Sequence, residues 1–429
     1  MAPLSVQPYK GTRDFYPQDQ RIQRWMFDKL SEAVERFGYL EYDGPMLEPF
    51  ELYAAKSGEE LVNKQLYWLV DQGERKLAVR PEMTPTLARM VAGKINELPR
   101  PIRWYSIPNL WRYERPQRGR LREHWQLNVD VLGGDALLAD AEILQVAYEL
   151  MRGFGGEKLI QIKVNNRRLM DDFFKTDLGL SAETALATTK AIDARDKIGE
   201  EAYVKWVSDL GVTAEQRATM ERFFKSSFEE VRSHHKGQGI DELAQLFKLV
   251  GESGLKDIVV FDPTVLRGMD YYTGTVFEIY DTSPENRRAL FGGGRYDNLI
   301  GLFGKDQLPG VGFGMGDVGL RNFLETHKLL PEFGGVTDVF VSLPKIELRE
   351  TAEGIARALR ERGLKVITPL APGGFGAQLK LAVKHGARFA VLFGDSELAE
   401  GKVVLKNLVK NAQTVVPFAG VADAVANDH

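Results

Sequence analysis

The stretch from Ile102 to Gly133 restricts the fold of this chain more than any other. IRWYSIPNLWRYE, Ile102 to Glu114, alternates apolar and polar residues like a strand. A basic turn, RPQRGRLR, follows, and EHWQLNVDVLG returns as a second strand. Two strands joined by so short a turn form a β-hairpin, which pairs antiparallel. Its tip carries Arg115, Arg118, Arg120 and Arg122. Guanidinium forks match phosphate oxygens bidentately, so the tip is a candidate polyphosphate grip. Charged hairpin tips are also common as solvated surface, and the hairpin alone leaves both readings open. Arg112 falls on the first strand with Glu114 two residues on, which places both on one strand face.

Other elements flank the hairpin. Residues 20–37 set Ile22, Met26, Leu30, Val34 and Phe37 at helical spacing, and Gly38 supplies a stop. YLEYDGPMLEP reads as a strand broken by Pro45, which cannot donate to a ladder and belongs at an edge or interface. Two short strands around the turn Asp71 to Glu74 cover residues 66–79. Thr84 then reads as a helix N-cap with Pro85 in the first turn. Residues 168–250 change to polar helix, an inserted domain or a helical excursion within a first domain spanning 1–330. Strand patterns resume at DIVVFD, TGTVFEIYD and FGGGRYDNL, and GVGFGMGDVGLRNFL (Gly310 to Leu324) reads as a glycine-rich strand entering a helix. After the linker PEFGG, Pro331 to Gly335, strand and helix alternate through 336–429, which predicts a separate α/β domain with a mainly parallel sheet.

Composition narrows the class without choosing a function. At 429 residues the chain is long enough for several domains of roughly 100–200 residues each. No apolar run approaches the ~18 residues of a membrane span, and MAPLSVQPYKGTRDFYP lacks the apolar core of a signal peptide. The expectation is a cytoplasmic protein with no membrane partner. Cysteine is absent, which excludes disulfides, thiolate zinc sites and cysteine nucleophiles. The histidines show no ligand spacing, so no metal site built from side chains is expected. A net charge of -4 argues only weakly against a nucleic-acid partner, because local patches decide binding.

Three further segments can carry chemistry. In RPEMT, Arg80 to Thr84, a carboxylate beside a helix start can bind an ammonium group, although a glutamate in a first turn also serves the helix dipole. RGMDYYTGTVFE, Arg267 to Glu278, puts a cation and two tyrosine hydroxyls beside apolar faces, an arrangement dense in polar groups for a core strand. In GGGRYD, Gly292 to Asp297, glycines permit close approach of backbone to a ligand, and the segment is neither a P-loop nor a dinucleotide fingerprint.

Taken in order, these pieces resemble the histidyl-tRNA synthetase family of class II (class IIa) aminoacyl-tRNA synthetases over nearly the whole chain. The first helix and the strand with Pro45 look like motif 1, the dimer-interface element. WRYERPQRGRLREHWQLNVD looks like motif 2, the hairpin that grips ATP. VLRGMDYYTGTVFE and FGGGRYDNL look like the two histidine-specific signatures, and the C-terminal segment is similar to the anticodon-binding domain of class IIa enzymes. The resemblance implies an α+β catalytic domain, with a six-stranded antiparallel sheet and flanking helices, over 1–330. It also implies a helical insertion at 168–250 and an anticodon-binding domain at 336–429. The partners it implies are L-histidine, ATP, tRNA(His) and a second copy of the chain in a homodimer.

Site roles follow the same resemblance. Arg112 would hold the α-phosphate while Arg267 faces it from the other side and contacts the histidine carboxylate. Two fixed cations there stabilise the charge that develops during attack. Glu82, Met83 and Thr84 fall on the amino-acid segment, with Glu82 and Thr84 taking the α-ammonium and Gln126 bridging ammonium and carboxylate. Asp130 and Tyr272 would read the two imidazole nitrogens beside Tyr271, and such a site rejects analogues that leave its polar groups unpaired. On the ATP side stand Arg112, Glu114, Arg120 and Arg122, with Trp125 at the position of the aromatic that stacks on adenine. Mg²⁺ would bridge phosphates with few protein ligands.

The chain departs from the family at motif 3. Where the family places glutamate and arginine at a helix start, this chain has Val318 and Gly319. Arg321 lies about 200° around an ideal helix from Gly319 and is no obvious substitute. A non-catalytic paralogue, such as the regulatory subunit of ATP phosphoribosyltransferase, is the alternative. Such paralogues lack the anticodon-binding domain and tend to lose the histidine signatures, and this chain keeps both.

Overall fold

The structure, a computed structural model, describes residues 4–54, 61–266, 271–286, 288–304 and 307–427. The chain forms two compact units, Met1–Leu330 and Pro331–His429.

The first unit is built on the strands β1 (Leu40–Glu41), β2 (Leu47–Pro49), β3 (Trp68–Val70), β4 (Lys76–Val79), β5 (Ile102–Ser106), β6 (Asn109–Trp111), β7 (Glu123–Leu132), β8 (Ile160–Asn166), β9 (Val259–Phe261), β10 (Thr275–Asp281), β11 (Ala289–Tyr296) and β12 (Gly310–Gly316). The main sheet runs β1-β5-β7-β12-β11-β10-β8-β9, with β6 on β7. The six strands from β5 to β8 are antiparallel throughout, as expected. A parallel strand extends each edge, β1 on β5 and β9 on β8, which makes the whole sheet mixed.

Proline shapes two of these elements. YLEYDGPMLEP does not stay in one sheet: β1 joins the main sheet and β2 joins a small sheet ordered β2-β4-β3, with Pro45 in the break. The run Ile102 to Glu114 is likewise two strands rather than one. Pro108 interrupts it, and the long β7 pairs with β5 at one end and β6 at the other. Beyond Trp111 the chain turns sharply, the Glu114 amide donating to the Arg112 carbonyl at 2.7 Å. Arg112 and Glu114 are therefore not successive residues on one strand face.

Helix Pro17–Glu35 buries Met26, Leu30, Ala33 and Val34, and helix Ala136–Gly153, capped by the Asp135 carboxylate, lies against it. Helices follow one another from Arg167 to Glu252. Thr213–Gln216 and Ser227–Glu230 form reciprocal capping boxes that set two of their starts. Leu169, Phe173, Phe223, Leu243 and Val250 of these helices share one core with Val129 and Val164 of the sheet. Phe173 and Phe223 stack with centroids 3.9 Å apart.

In the second unit β13 (Val339–Val341), β14 (Val366–Ile367), β15 (Phe389–Leu392), β16 (Lys402–Asn407) and β17 (Ala412–Pro417) form a sheet ordered β14-β13-β15-β16-β17. It is mixed rather than mainly parallel: β14-β13-β15 is parallel, while β15-β16-β17 is antiparallel. The reason is connection length. Residues 393–401 between β15 and β16 hold only a short helix, whereas a parallel crossover needs about a dozen residues or more.

A close backbone approach between β11 and β12 yields a stability test. A Cβ at Gly293 would meet the Gly312 carbonyl oxygen at 1.9 Å and the Phe313 Cα at 2.7 Å. Gly293→Ala should destabilise the first unit by on the order of 3 kcal/mol, because backbone and not a flexible side chain must give way. Denaturant melts of the two proteins would measure this, and unchanged midpoints would refute the tight register.

Candidate active site

The site lies over the middle of the antiparallel sheet and is laid out by strand parity. Along β7, His124, Gln126, Asn128 and Asp130 share one face. The register aligns Asn128 with Gly314 of β12, Gly292 of β11 and Glu278 of β10. The next row aligns Asp130 with Gly312, Gly294 and Val276. The two central strands thus present a bare floor, and the side chains around it lie down over it. A Cβ at Gly312 would sit 2.1 Å from Asp130 Oδ1, one at Gly314 2.8 Å from Gln126, and one at Gly294 2.8 Å from the Tyr272 ring.

Two cavities open on this floor. The smaller, of about 90 Å³, is lined by Glu82, Thr84, Arg112, Gln126, Asn128, Asp130, Tyr271, Tyr272, Tyr296 and Phe313 over Gly292, Gly312 and Gly314. Its walls come from distant parts of the chain. Glu82 is buried and accepts a hydrogen bond from Tyr271 Oη at 3.3 Å. Thr84 is the first residue of helix Thr84–Gly93. The N-cap position expected of it belongs to Met83, whose buried side chain packs into the core instead of capping. Thr84 itself lines the cavity. Asp130 receives the Tyr296 hydroxyl at 2.6 Å. Burial pushes the Asp130 carboxyl up to about 7, with the tyrosine bond working against the shift. The Tyr296 phenol is held well above its ordinary range, by burial first and by the Asp130 charge second.

The larger cavity, of about 220 Å³, is lined by Arg112, Glu114, Arg120, His124, Gln126, Glu278, Phe291, Val318 and Gly319, among others. Arg112, Gln126, Gly292 and Gly314 border both cavities, which therefore meet. Arg112 stands at the junction, with its Nε donating to the Pro81 carbonyl at 2.8 Å. Arg120 reaches Glu114 at 3.4 Å. His124 is driven down to about 3 by burial, then by Arg112, Arg13 and Arg120, so its ring is neutral at any physiological pH. Glu114 and Glu278 are the carboxylates on this cavity and supply hard oxygen donors where a divalent cation could sit.

Several expected site residues stand elsewhere. Trp125 lies between His124 and Gln126, so period-two alternation turns its ring to the other face of β7, where it meets Phe15 edge-on at 5.4 Å. Arg122 is turned to the N-terminal segment: it donates to Tyr9 Oη at 2.6 Å and lies over the Tyr113 ring at 4.0 Å. Arg267 lies outside the described residues. Among the lining residues that escaped the sequence reading are Tyr296, Asn128 and His124. The signal for Asn128 and His124 was parity with Gln126 and Asp130, and for Tyr296 it was parity with Gly292 in GGGRYD. At the altered motif 3, Val318 and Gly319 line the larger cavity, while Arg321 pairs with Asp19 and Glu325, each at 2.9 Å.

A six-stranded antiparallel sheet extended by parallel edges, with an arginine hairpin over joined cavities on one face, defines the catalytic unit of a class II aminoacyl-tRNA synthetase. A family model described as histidyl-tRNA synthetase matches residues 11–317, and one described as anticodon binding domain matches 338–428. The histidine–tRNA ligase of Leptospira biflexa serovar Patoc is 45% identical over 422 residues, covering 97% of this chain and 96% of its own length. That of Haloarcula marismortui is 37% identical, with coverage of 96% and 95%. The crystal structure of histidyl-tRNA synthetase from Nostoc sp. PCC 7120 superposes with a TM-score of 0.81 at 26% identity, covering 100% of both chains. The chain belongs to the histidyl-tRNA synthetase family, and the regulatory-paralogue alternative is not favoured.

The buried carboxyl of Asp130 makes stability depend on pH in a defined direction. An unfolded aspartate titrates near ~3.9, while in the fold Asp130 keeps its proton to about 7. Between those values the folded chain holds a proton that the unfolded chain has lost. Asp130 therefore contributes stability that is complete below about pH 4 and is lost as pH rises through about 7. The melting temperature of wild type relative to Asp130→Asn should fall between about pH 4 and 7 in histidine-free scans. Parallel pH curves for the two proteins would rule this out.

Proposed function

We propose that this chain activates L-histidine with ATP and transfers it to the 3′ end of tRNA(His). The observation that carries the reading is the junction: a small cavity fit for an amino acid and a larger one fit for a nucleotide meet at Arg112 and Gln126. Histidine occupies the smaller cavity. Glu82 and Thr84 take its α-ammonium, Gln126 bridges ammonium and carboxylate, and Asp130 and Tyr272 read the imidazole nitrogens beside Tyr271. ATP occupies the larger cavity, with Arg112 on the α-phosphate and Arg120 toward the polyphosphate. Neutral His124 forms the aromatic wall on the purine side, in place of Trp125. Mg²⁺ fits beside Glu114 and Glu278, where it offsets phosphate charge when bound.

The first step is attack by a histidine carboxylate oxygen on the α-phosphate. The new oxygen–phosphorus bond gives histidyl-adenylate, and pyrophosphate leaves. Arg112, together with Arg267 in the role that the family resemblance gives it, stabilises the charge that builds on the phosphoryl oxygens. In the second step a hydroxyl of the terminal tRNA ribose attacks the histidyl carbonyl and AMP leaves. Residues 336–429 bind the anticodon arm. The chain works as a homodimer in the cytoplasm, paired through the motif 1 region, where Leu40, Met46 and Leu47 are exposed. Among the described residues no helix is long and apolar enough to cross a membrane.

ATP–pyrophosphate exchange tests the reading. Exchange should depend on histidine, and Arg112→Ala should lower it by about 10²–10³ while leaving the melting temperature within a few degrees. Wild-type protein that shows no histidine-dependent exchange would overturn the assignment.

A further inference from the structure

Beneath the tyrosine wall of the smaller cavity lies a charged network that does not line that cavity. Asp297 follows Tyr296, and Thr273 follows Tyr272, so each flanks a lining residue. The Thr273 hydroxyl donates to Asp297 Oδ2 at 2.7 Å, and the Thr273 amide donates to the Arg295 carbonyl at 2.8 Å. Asp297 receives Arg168 Nη2 on the same oxygen at 3.1 Å and lies 3.5 Å from Arg295 Nη1 on the other. Arg295 is in turn tied to the buried Asp140, whose second oxygen accepts the Thr275 hydroxyl at 2.7 Å. Arg168 opens the run of helices from Arg167 to Glu252 and is held there by Glu242, at 2.7 and 2.8 Å. Gly274 makes the crossing possible: a Cβ there would meet Arg295 Cδ at 3.1 Å and Arg168 Nη1 at 3.2 Å.

The chemistry of this network is positional. One carboxylate, Asp297, joins the hydroxyl beside the tyrosine pair to a cation carried by the helical insertion. A hydrogen bond to a charged group fixes its donor more strongly than a neutral one does. Nothing in the network lines the nucleotide cavity. We infer that Asp297 is a positioning residue for the histidine pocket, holding the Tyr271–Tyr272 wall through Thr273, and that Arg168 couples the helical insertion to amino-acid binding through it. This rests on the proposed histidine-activating function.

Exchange kinetics test both parts. Thr273→Val is near-isosteric and removes only the hydroxyl bond. Asp297→Asn keeps the shape and removes the charge that pairs with both arginines. Arg168→Gln removes the cation from the insertion. Each should raise KM for histidine about tenfold, the loss of roughly one hydrogen bond to a charged group, while KM for ATP stays within about twofold. Thr273→Ser, which keeps the hydroxyl, should restore KM for histidine to near the wild-type value. Thermal melts identify any variant that fails to fold, and Thr273→Val decides the positioning role if Asp297→Asn is such a variant. An unchanged KM for histidine, or equal rises in both KM values, would overturn the positioning role. An unchanged KM in Arg168→Gln alone would overturn the coupling. Absence of histidine-dependent exchange in wild type would instead sink the function on which the inference rests.

Discussion

The structure depends on keeping side chains off the middle of the main sheet. β11 and β12 carry Gly292, Gly294, Gly312 and Gly314 on one face, and the space above them becomes the site. Central strands without side chains on one face must be stabilised from the other. There Val311, Phe313 and Met315 of β12 enter the core, in contact with helix Ala136–Gly153. Polar specificity is moved outward, to Gln126, Asn128 and Asp130 on β7 and to Glu278 on β10. Their side chains can lie flat because nothing rises between them. A single methyl at Gly312 would displace the Asp130 carboxylate, so the glycines define pocket shape as well as backbone approach.

Charge is distributed to match. The groups that would meet ligand stand at the open floor, while ion pairs sit away from it: the buried Arg295 with Asp140, and the half-buried Arg168 with Asp297 and Glu242. Buried pairs of this kind seldom add net stability, because desolvation offsets their attraction. Their use here is geometric, since each fixes a backbone segment that carries a lining residue. Burial raises the Asp140 carboxyl, and Arg295 opposes that rise.

Much of this was legible in the sequence, and the parts that were not share a cause. The hairpin, the glycine-rich strands and the helical run between them announce themselves through local periodicity, so the antiparallel core followed. Edge strands did not: β1 and β9 are two or three residues long and are set by where distant segments arrive. The second sheet failed on strand direction, which depends on connection length more than on strand pattern. At the site, Glu82, Gln126, Asp130 and the tyrosine pair, which sit in recognisable segments, line one cavity. Trp125 is one residue out of step with the parity of Gln126, so its ring falls on the opposite face of β7 from the cavities. His124 was the residue with that parity, and its burial among arginines is invisible to sequence.

The altered motif 3 shows how the fold absorbs a missing arginine. In place of exposed charge, the helix after β12 starts with Asp317, a buried carboxylate that receives Arg13 at 2.8 Å and the Trp125 amide at 3.0 Å. Burial raises this carboxyl, and Arg13 counters the rise. The Gly11 carbonyl accepts the Arg122 amide at 2.9 Å, so the N-terminal segment is bound to the root of the hairpin at two points. The helix start thus braces the hairpin instead of reaching for the nucleotide. At Gly319 a Cβ would come no closer than 3.4 Å to the Leu290 carbonyl, an ordinary contact, and Gly319 lines this wall of the larger cavity without a side chain. If ATP occupies this cavity as proposed, with aromatic contact through His124 on one face, Arg112 and Arg120 would supply a larger share of nucleotide binding. Guanidinium–phosphate pairs are strong and directional enough for that.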